Sequence, residues 1–425
     1  MSKPVGTSAY LEEKSPDLLG HFDRELLIGG SRTPHRVGIV DADLIDHGTR
    51  FPNLALLKIS GYYKDAGAAV TLIENYEVLN YSDYDQIFVS KVFTFSEYER
   101  ELLQHGNVTL GGTGFFEDGG ENLPLVVEHH MPDYHLYDKY VERRIAEGRR
   151  PSYFEDYMNY SIGFATRGCF RKCDFCVNKK YDHTFFHSHI KEWYDPSRKY
   201  IYLWDDNILA YPHWKDVFDE LAEINKPFQF RQGMDVRLMT DEKAEVLSHA
   251  RYRGDFIFAF DHIEDKKRIE KSLALWRKHC TRETKLYVIC GFDSQDAADI
   301  ENTFERIRVL FKYACLPYIM RYEAYKQSPY KRLYIAIARW CNQPNIVKKM
   351  SFRQFCEANQ RMKKRPGLCS SMQALTDFEA ENPDIAAKYF DIRWEDQPMV
   401  QELKQRRGKK RGLVTWDLPE GVPEP

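Results

Sequence analysis

Three absences bound what this chain of 425 residues can be. No cysteine precedes Cys169, and nine in so long a chain do not make a disulfide framework, so the thiols are expected to stay reduced. No run approaches the ~20 apolar residues that cross a bilayer, and the opening MSKPVGTSAYLEEKSPDLLG lacks the charged-then-apolar order of a signal peptide. A cytoplasmic protein without a membrane partner is the expectation. A surplus of one charge is missing as well: 61 Lys and Arg stand against 64 Asp and Glu, a net charge of −3. That balance gives no global field to hold a nucleic acid, and any polyanion contact has to be local.

What is present is globular. Hydrophobic residues make up 43%, aromatic residues 14% and charged residues 29%, which suits a packed chain of several domains. Residues 1–35 mix Gly, Pro, Ser and charge and read as an N-terminal arm. RVGIVDADL, AAVTLIEN, QIFVSKVF and NVTLGG are strand-like, with helical spacing in PNLALLKISGYYKDAG and SEYERELLQHG. They predict an open parallel sheet over 36–112. A connector without clear pattern fills 113–157. Six further strand-like runs, SIGFATRG, KYIYLWDDN, FQFRQGMDV, DFIFAFDH, KLYVICGF and LPYIMRYEAY, alternate with helical stretches over 158–327 and predict a partial (β/α)6 TIM-type barrel. Residues 328–403 read as a helical C-terminal region, and 404–425 as a flexible tail beginning with Lys404, Arg406, Arg407, Lys409, Lys410 and Arg411.

The sharpest chemical signal is RGCFRKCDFC, in which Cys169, Cys173 and Cys176 follow the first barrel strand with CxxxCxxC spacing. Three thiolates can hold three corners of a four-iron cluster and leave the fourth open. Arg167, Arg171 and Lys172 would offset their charge, and Phe170 and Phe175 would shield them from water. A structural zinc site using Cys173, Cys176 and one of His183, His187 and His189 is the alternative, and it leaves Cys169 unexplained. With an aromatic residue before its third cysteine, the motif resembles that of the radical S-adenosylmethionine superfamily. The resemblance implies a 4Fe-4S cluster, S-adenosylmethionine chelated at its open iron, and reductive cleavage to a 5′-deoxyadenosyl radical that takes hydrogen from a substrate. It also implies an electron donor such as flavodoxin or ferredoxin.

Polar residues closing barrel strands are the expected cofactor contacts: Asp205, Asp206 and Asn207 after the second strand, Gln232, Asp235 and Arg237 after the third, Asp261 after the fourth and Gly291 after the fifth. Helix capping by Asp206 or Asn207 and an internal Asp235–Arg237 pair are the plainer readings. The N-terminal sheet resembles the Rossmann-like domain of cobalamin-binding or methylthiotransferase-type members, although the absence of N-terminal cysteines speaks against sulfur donation. Cobalamin is therefore a possible cofactor, with His47 of DLIDHGT as a departed match to the cobalt-ligating histidine and GGTGF at 111–115 as a cradle or a tight turn. The substrate expected is a small or nucleotide-like molecule. The alternatives are cobalamin-dependent methyl transfer and a metal-stabilised protein that binds RNA through the basic run.

Overall fold

The computed structural model describes residues 35–116, 120–176, 178 and 180–412. All but the last residue of the expected arm, and residues 413–425 of the expected tail, lie outside the described residues. The chain divides into two compact units, Met1–Asp205 with Asp219–Phe228, and Asp206–Phe218 with Gln229–Pro425.

In the first unit, β1 (Arg36–Asp41), β2 (Ala69–Ile73), β3 (Gln86–Ser90) and β4 (Val108–Gly111) form a parallel sheet in the order β2–β1–β3–β4. The four strands are those the alternation predicts. Helix α1 (Ala42–Asp46) follows β1, and α2 (Leu54–Asp65) buries Leu56, Leu57 and Tyr63 with the sheet residues Val37 and Ile39. The helix expected in SEYERELLQHG is only a 3-10 turn, Arg100–Gln104. Leu102 is its one buried residue, and a single apolar side chain gives a longer helix no stripe to bury.

The patternless connector turns out to be core. Tyr134, Leu136, Tyr137, Tyr140 and Val141, the last two on α3 (Asp138–Ala146), join Phe154 and Tyr157 in the same cluster as Val37 and Leu57. Tyrosines carry this packing, and each hydroxyl needs a partner when buried. Tyr137 donates to the Asp41 carboxylate at 2.8 Å, and Tyr134 donates to the carbonyls of Ile162 and Trp193.

All six expected barrel strands are present. The first unit holds β5 (Tyr160–Gly163), the short antiparallel pair β6 (Thr166–Arg167) and β7 (Phe185–Phe186), and β8 (Tyr200–Leu203), which pairs in parallel with β5. Next comes β9 (Phe228–Phe230), third in the order β5–β8–β9. In the second unit β10 (Phe256–Ala259), β11 (Thr284–Cys290) and β12 (Leu316–Arg321) form a parallel sheet in chain order. The two triplets are separate sheets. Within the second unit one isolated parallel bridge joins Met234 to Phe258.

Helices α4 (Lys266–His279), α5 (Ala297–Lys312) and α6 (Lys331–Cys341) belong to the second unit. Further helices follow to residue 412, as the C-terminal pattern predicts. The last, α7 (Pro398–Gly412), runs through the first part of the basic run expected as tail. There Arg406 donates to the carbonyls of Arg277 and Lys278, and Arg407 to that of Thr281. Among the described residues no helix is long and apolar enough to cross a membrane.

Asp41 ends β1 fully buried, accepting from Tyr137 and from Leu44 N. Burial pushes its carboxyl up from 3.8 to about 7. The folded chain therefore holds a proton there that the unfolded chain has lost, and stability falls as pH rises from about 4 to 7. In Asp41→Asn that loss is removed, so the variant should gain on the wild type between pH 4 and pH 8 in urea melts. A pH-independent difference would refute this account.

Candidate metal and cofactor site

The cysteine loop lies in the first unit between β6 and β7, and several contacts fix its base. Arg167 pairs with Phe185 and Thr166 with Phe186. The Thr184 hydroxyl donates to the Gly168 carbonyl at 3.1 Å, and His187 N donates to the Ala165 carbonyl at 2.9 Å. Gly168 precedes Cys169 at φ 84°, and a β-carbon there would stand 2.2 Å from the His183 carbonyl, so only glycine fits.

Asp205 is the strongest hold. Its buried carboxylate accepts from Thr166 N and the Thr166 hydroxyl, both at 2.6 Å, and from Ala165 N at 3.2 Å. It anchors the strand that launches the cysteines. Nearby, the Arg167 guanidinium lies 3.9 Å from the Phe164 ring centre, and Arg171 covers Phe170 at 4.6 Å. Lys172 Nζ donates to the Tyr181 carbonyl at 2.6 Å.

Cys169, Cys173 and Cys176 are partly exposed thiols, none in a disulfide. Cys176 N donates to the Cys173 carbonyl at 2.9 Å, and Arg171 N to Cys169 Sγ at 3.4 Å. Among the described residues no three His, Cys, Asp or Glu side chains are already gathered as a metal cage. The donor set nonetheless suits a cluster, because three soft thiol ligands share one short loop pinned at its base. Of the three nearby histidines, half-buried His187 has both ring nitrogens engaged, by Glu128 at 3.0 Å and by Ser188, whereas exposed His183 and His189 meet Asp182 and Glu220 at 2.6 and 3.5 Å through Nδ1.

A buried ionic group missed in the sequence backs the loop. Lys58, in the middle of α2, meets Glu128 Oε1 at 2.8 Å, and His187 meets the same oxygen at 3.0 Å. His187 stacks on His129, which pairs with Glu192. Burial raises the Glu128 carboxyl, but His187, Lys58 and Arg167 overturn that and hold it well below the usual carboxylate range. Only a lysine on the apolar side of α2 hinted at this.

The remaining candidates mostly serve the fold. Asp206 is half-buried, and buried Asn207 precedes a 3-10 turn without a side-chain cap. Gln232 is exposed. Asp235 caps its own turn and takes Arg237 in a fork, Nε at 2.6 Å and Nη2 at 3.1 Å, with Asp265 on the remaining Nη1, so the plainer internal pair is what forms. Asp261 accepts from Ile289 N at 3.4 Å, and burial raises its carboxyl. Gly291, at φ 70°, donates its N–H to Asp299 at 2.7 Å.

At the C-terminal ends of the N-terminal strands, Asp43 accepts from Val92 N, Phe93 N and the Ser96 hydroxyl. The GGTGF segment is a tight turn: Gly114 N donates to the Lys91 carbonyl, and Phe115 and Phe116 N to that of Gly112. Exposed His47 touches the ring edges of Phe93 and Phe95.

The fold and site define an α/β chain of parallel sheets carrying a three-cysteine loop between β6 and β7. No family model and no curated protein matches it. Among solved structures it resembles, over most of its length and at low identity, a radical S-adenosylmethionine methyltransferase, TsrM, from Kitasatospora setae. With cobalamin and a 4Fe-4S cluster bound, that structure shares 14% identity at a TM-score of 0.45, covering 68% of this chain and 75% of the other. With tryptophan and a cofactor analogue bound, the values are 12% and 0.47, covering 89% and 99%. At such distance the function has to be argued from this chain's own residues.

Replacing Asp205 by Ala leaves the N–H groups of Ala165 and Thr166 without their acceptor, a loss of about 1–3 kcal/mol. The variant should unfold at lower urea and retain less iron and sulfide after anaerobic reconstitution. Wild-type iron content in a destabilised variant would show that the clamp does not position the cysteines.

Proposed function

We propose that this chain is a radical S-adenosylmethionine enzyme acting on a small molecule. The observation that carries the reading is the cysteine loop itself, three thiols in CxxxCxxC spacing on a segment whose base is fixed by Asp205 and by the β6–β7 pair. Cys169, Cys173 and Cys176 would hold a 4Fe-4S cluster, which when bound supplies the electron that divides S-adenosylmethionine into methionine and a 5′-deoxyadenosyl radical. Phe170 and Arg171, stacked on each other beside Cys169, partly screen that end of the loop and offset thiolate charge. Asp206, Asn207 and exposed Gln232 stand at strand ends as contacts for the cofactor's polar groups. Asp235, Arg237 and Gly291 set the shape of those ends through their internal hydrogen bonds. The protein reconstituted anaerobically with iron and sulfide, then given dithionite and S-adenosylmethionine, should release 5′-deoxyadenosine. Product surviving replacement of all three cysteines by Ala would remove the reading.

Methyl transfer through cobalamin is the second reading, favoured by His47. Its Nδ1 lies 2.7 Å from the Asp43 carbonyl, which can only accept, so Nδ1 donates there and Nε2 is the ring atom facing away from that bond. A metal-ligating imidazole is commonly oriented by such a bond. The exposed side chains of Val92, Phe95 and Phe116 add apolar surface suited to a macrocycle. Hydroxocobalamin titrated into the protein should change its visible spectrum, with a different end point in His47→Ala. An unchanged spectrum with the wild type would exclude this second reading.

A further inference from the structure

Past the end of α3 the chain folds back on the helix. Gly148, at φ 95°, donates its N–H to the Ile145 carbonyl, and Arg149 N donates to that of Arg144 at 3.0 Å, so the turn sets Arg149 beside the last turn of α3. The short 3-10 turn Pro151–Phe154 follows. With Gly48, just past α1, these elements enclose a cleft of about 220 Å³ lined by His47, Tyr140, Arg144, Arg149 and Tyr153. Whole small-molecule ligands ordinarily fill roughly 300–1,000 Å³, so this space suits one chemical group of a ligand.

Tyr140 indicates what that group is. Its ring belongs to the core cluster and the residue is only 7% exposed, yet among the described residues its hydroxyl has no hydrogen-bond partner. A buried phenol ordinarily finds one, as Tyr134 and Tyr137 do in the same cluster. The Tyr140 oxygen stands in the cleft wall next to Gly48, where a β-carbon would lie 3.8 Å from it.

Arginines supply the charge. Arg144 uses Nη1 on Glu147 at 2.6 Å, and among the described residues its other guanidinium nitrogens make no hydrogen bond. Among the same residues Arg149 meets no carboxylate. Its guanidinium lies 5.9 Å from the Tyr153 ring centre, and that of Arg50 lies 5.0 Å from the same centre. Two guanidiniums drawn to one ring repel each other, and an anion in the cleft relieves that repulsion. A phosphoryl dianion offers three oxygens and a charge close to −2, which matches one hydroxyl and two planar forks better than a carboxylate with two oxygens and half the charge.

We infer that the cleft beside the end of α3 binds the phosphoryl group of a phosphate monoester through the Tyr140 hydroxyl, Arg144 and Arg149. Its walls come from α3, the turn after it and Gly48, so binding requires neither iron, S-adenosylmethionine nor cobalamin.

The test titrates inorganic phosphate and phenyl phosphate into the full chain and follows both by phosphorus NMR. Both signals should broaden saturably, and acetate at equal concentration should not displace them. Tyr140→Phe removes an oxygen that nothing in the fold holds, so this variant should melt in urea as the wild type does while binding phosphate about tenfold more weakly. Arg149→Gln should weaken binding by a similar factor. Arg361→Gln, at an exposed arginine of the second unit, should leave it unchanged. Broadening that never saturates, wild-type affinity in both Tyr140→Phe and Arg149→Gln, or displacement by acetate would each overturn the inference. So would displacement of phosphate by one equivalent of hydroxocobalamin, which would assign the cleft to that cofactor's own phosphodiester.

Discussion

The cysteine loop depends on one buried carboxylate. Asp205 stands two residues past the end of β8, and Ala165 and Thr166 stand just past the end of β5. These strands pair with Gly163 opposite Leu203, and Trp204 N donates to the Gly163 carbonyl, so the register carries Asp205 to the amides it accepts from. A slip of one residue would turn the carboxylate to the opposite side and leave those N–H groups buried and unanswered. Position along a β ladder, rather than any contact made by the cysteines, thus determines where the loop begins.

Glu128 provides a second hold from a different direction. Lys58 reaches it from α2 and His187 from just beyond β7, so a helix of the N-terminal layer and the exit of the cysteine loop share one oxygen. Burying such a group costs desolvation energy that the pairing only partly returns, which makes it a poor source of stability and a better source of specificity. Burial drives both the Lys58 ammonium and the His187 imidazolium down, and Glu128 works against both shifts. Losing the carboxylate would leave a lysine buried without its counter-charge, and the exit of the loop would lose its registration to α2.

Periodicity made the strands legible, because each contains an apolar run that no loop could bury. The α2 stripe was legible for the same reason. The connector was not, since its core contribution comes from Tyr134, Tyr137, Tyr140 and Tyr157, amphipathic residues whose burial depends on distant partners such as Asp41. The short turn in place of a helix at Arg100–Gln104 came from reading charged residues of good helix propensity without counting what they could bury. At the site, motif spacing singles out the cysteines, whereas the internal hydrogen bonds of the strand-end polar residues carry no sequence signal. Asp205 holds the backbone after β5, Asp235 holds Arg237, and the Gly291 amide is held by Asp299. A polar residue closing a strand has unsatisfied amides within reach in its own fold, and these compete with any ligand for it.

That competition separates the two sets of strand ends. At the switch point between β1 and β3, where open α/β sheets usually offer a crevice, Asp41 is engaged by Tyr137 and Leu44. Asp43 is engaged by Val92, Phe93 and Ser96, and Lys91 lies buried over Tyr98 and Phe115. Its capacity to bind is left to the exposed rim of His47, Val92, Phe95 and Phe116. On β12 the chain does the opposite, leaving Tyr318 and Met320 partly uncovered at a cost of about 25 cal/mol for each Å² of apolar surface not buried. Folding alone would favour polar side chains at such positions.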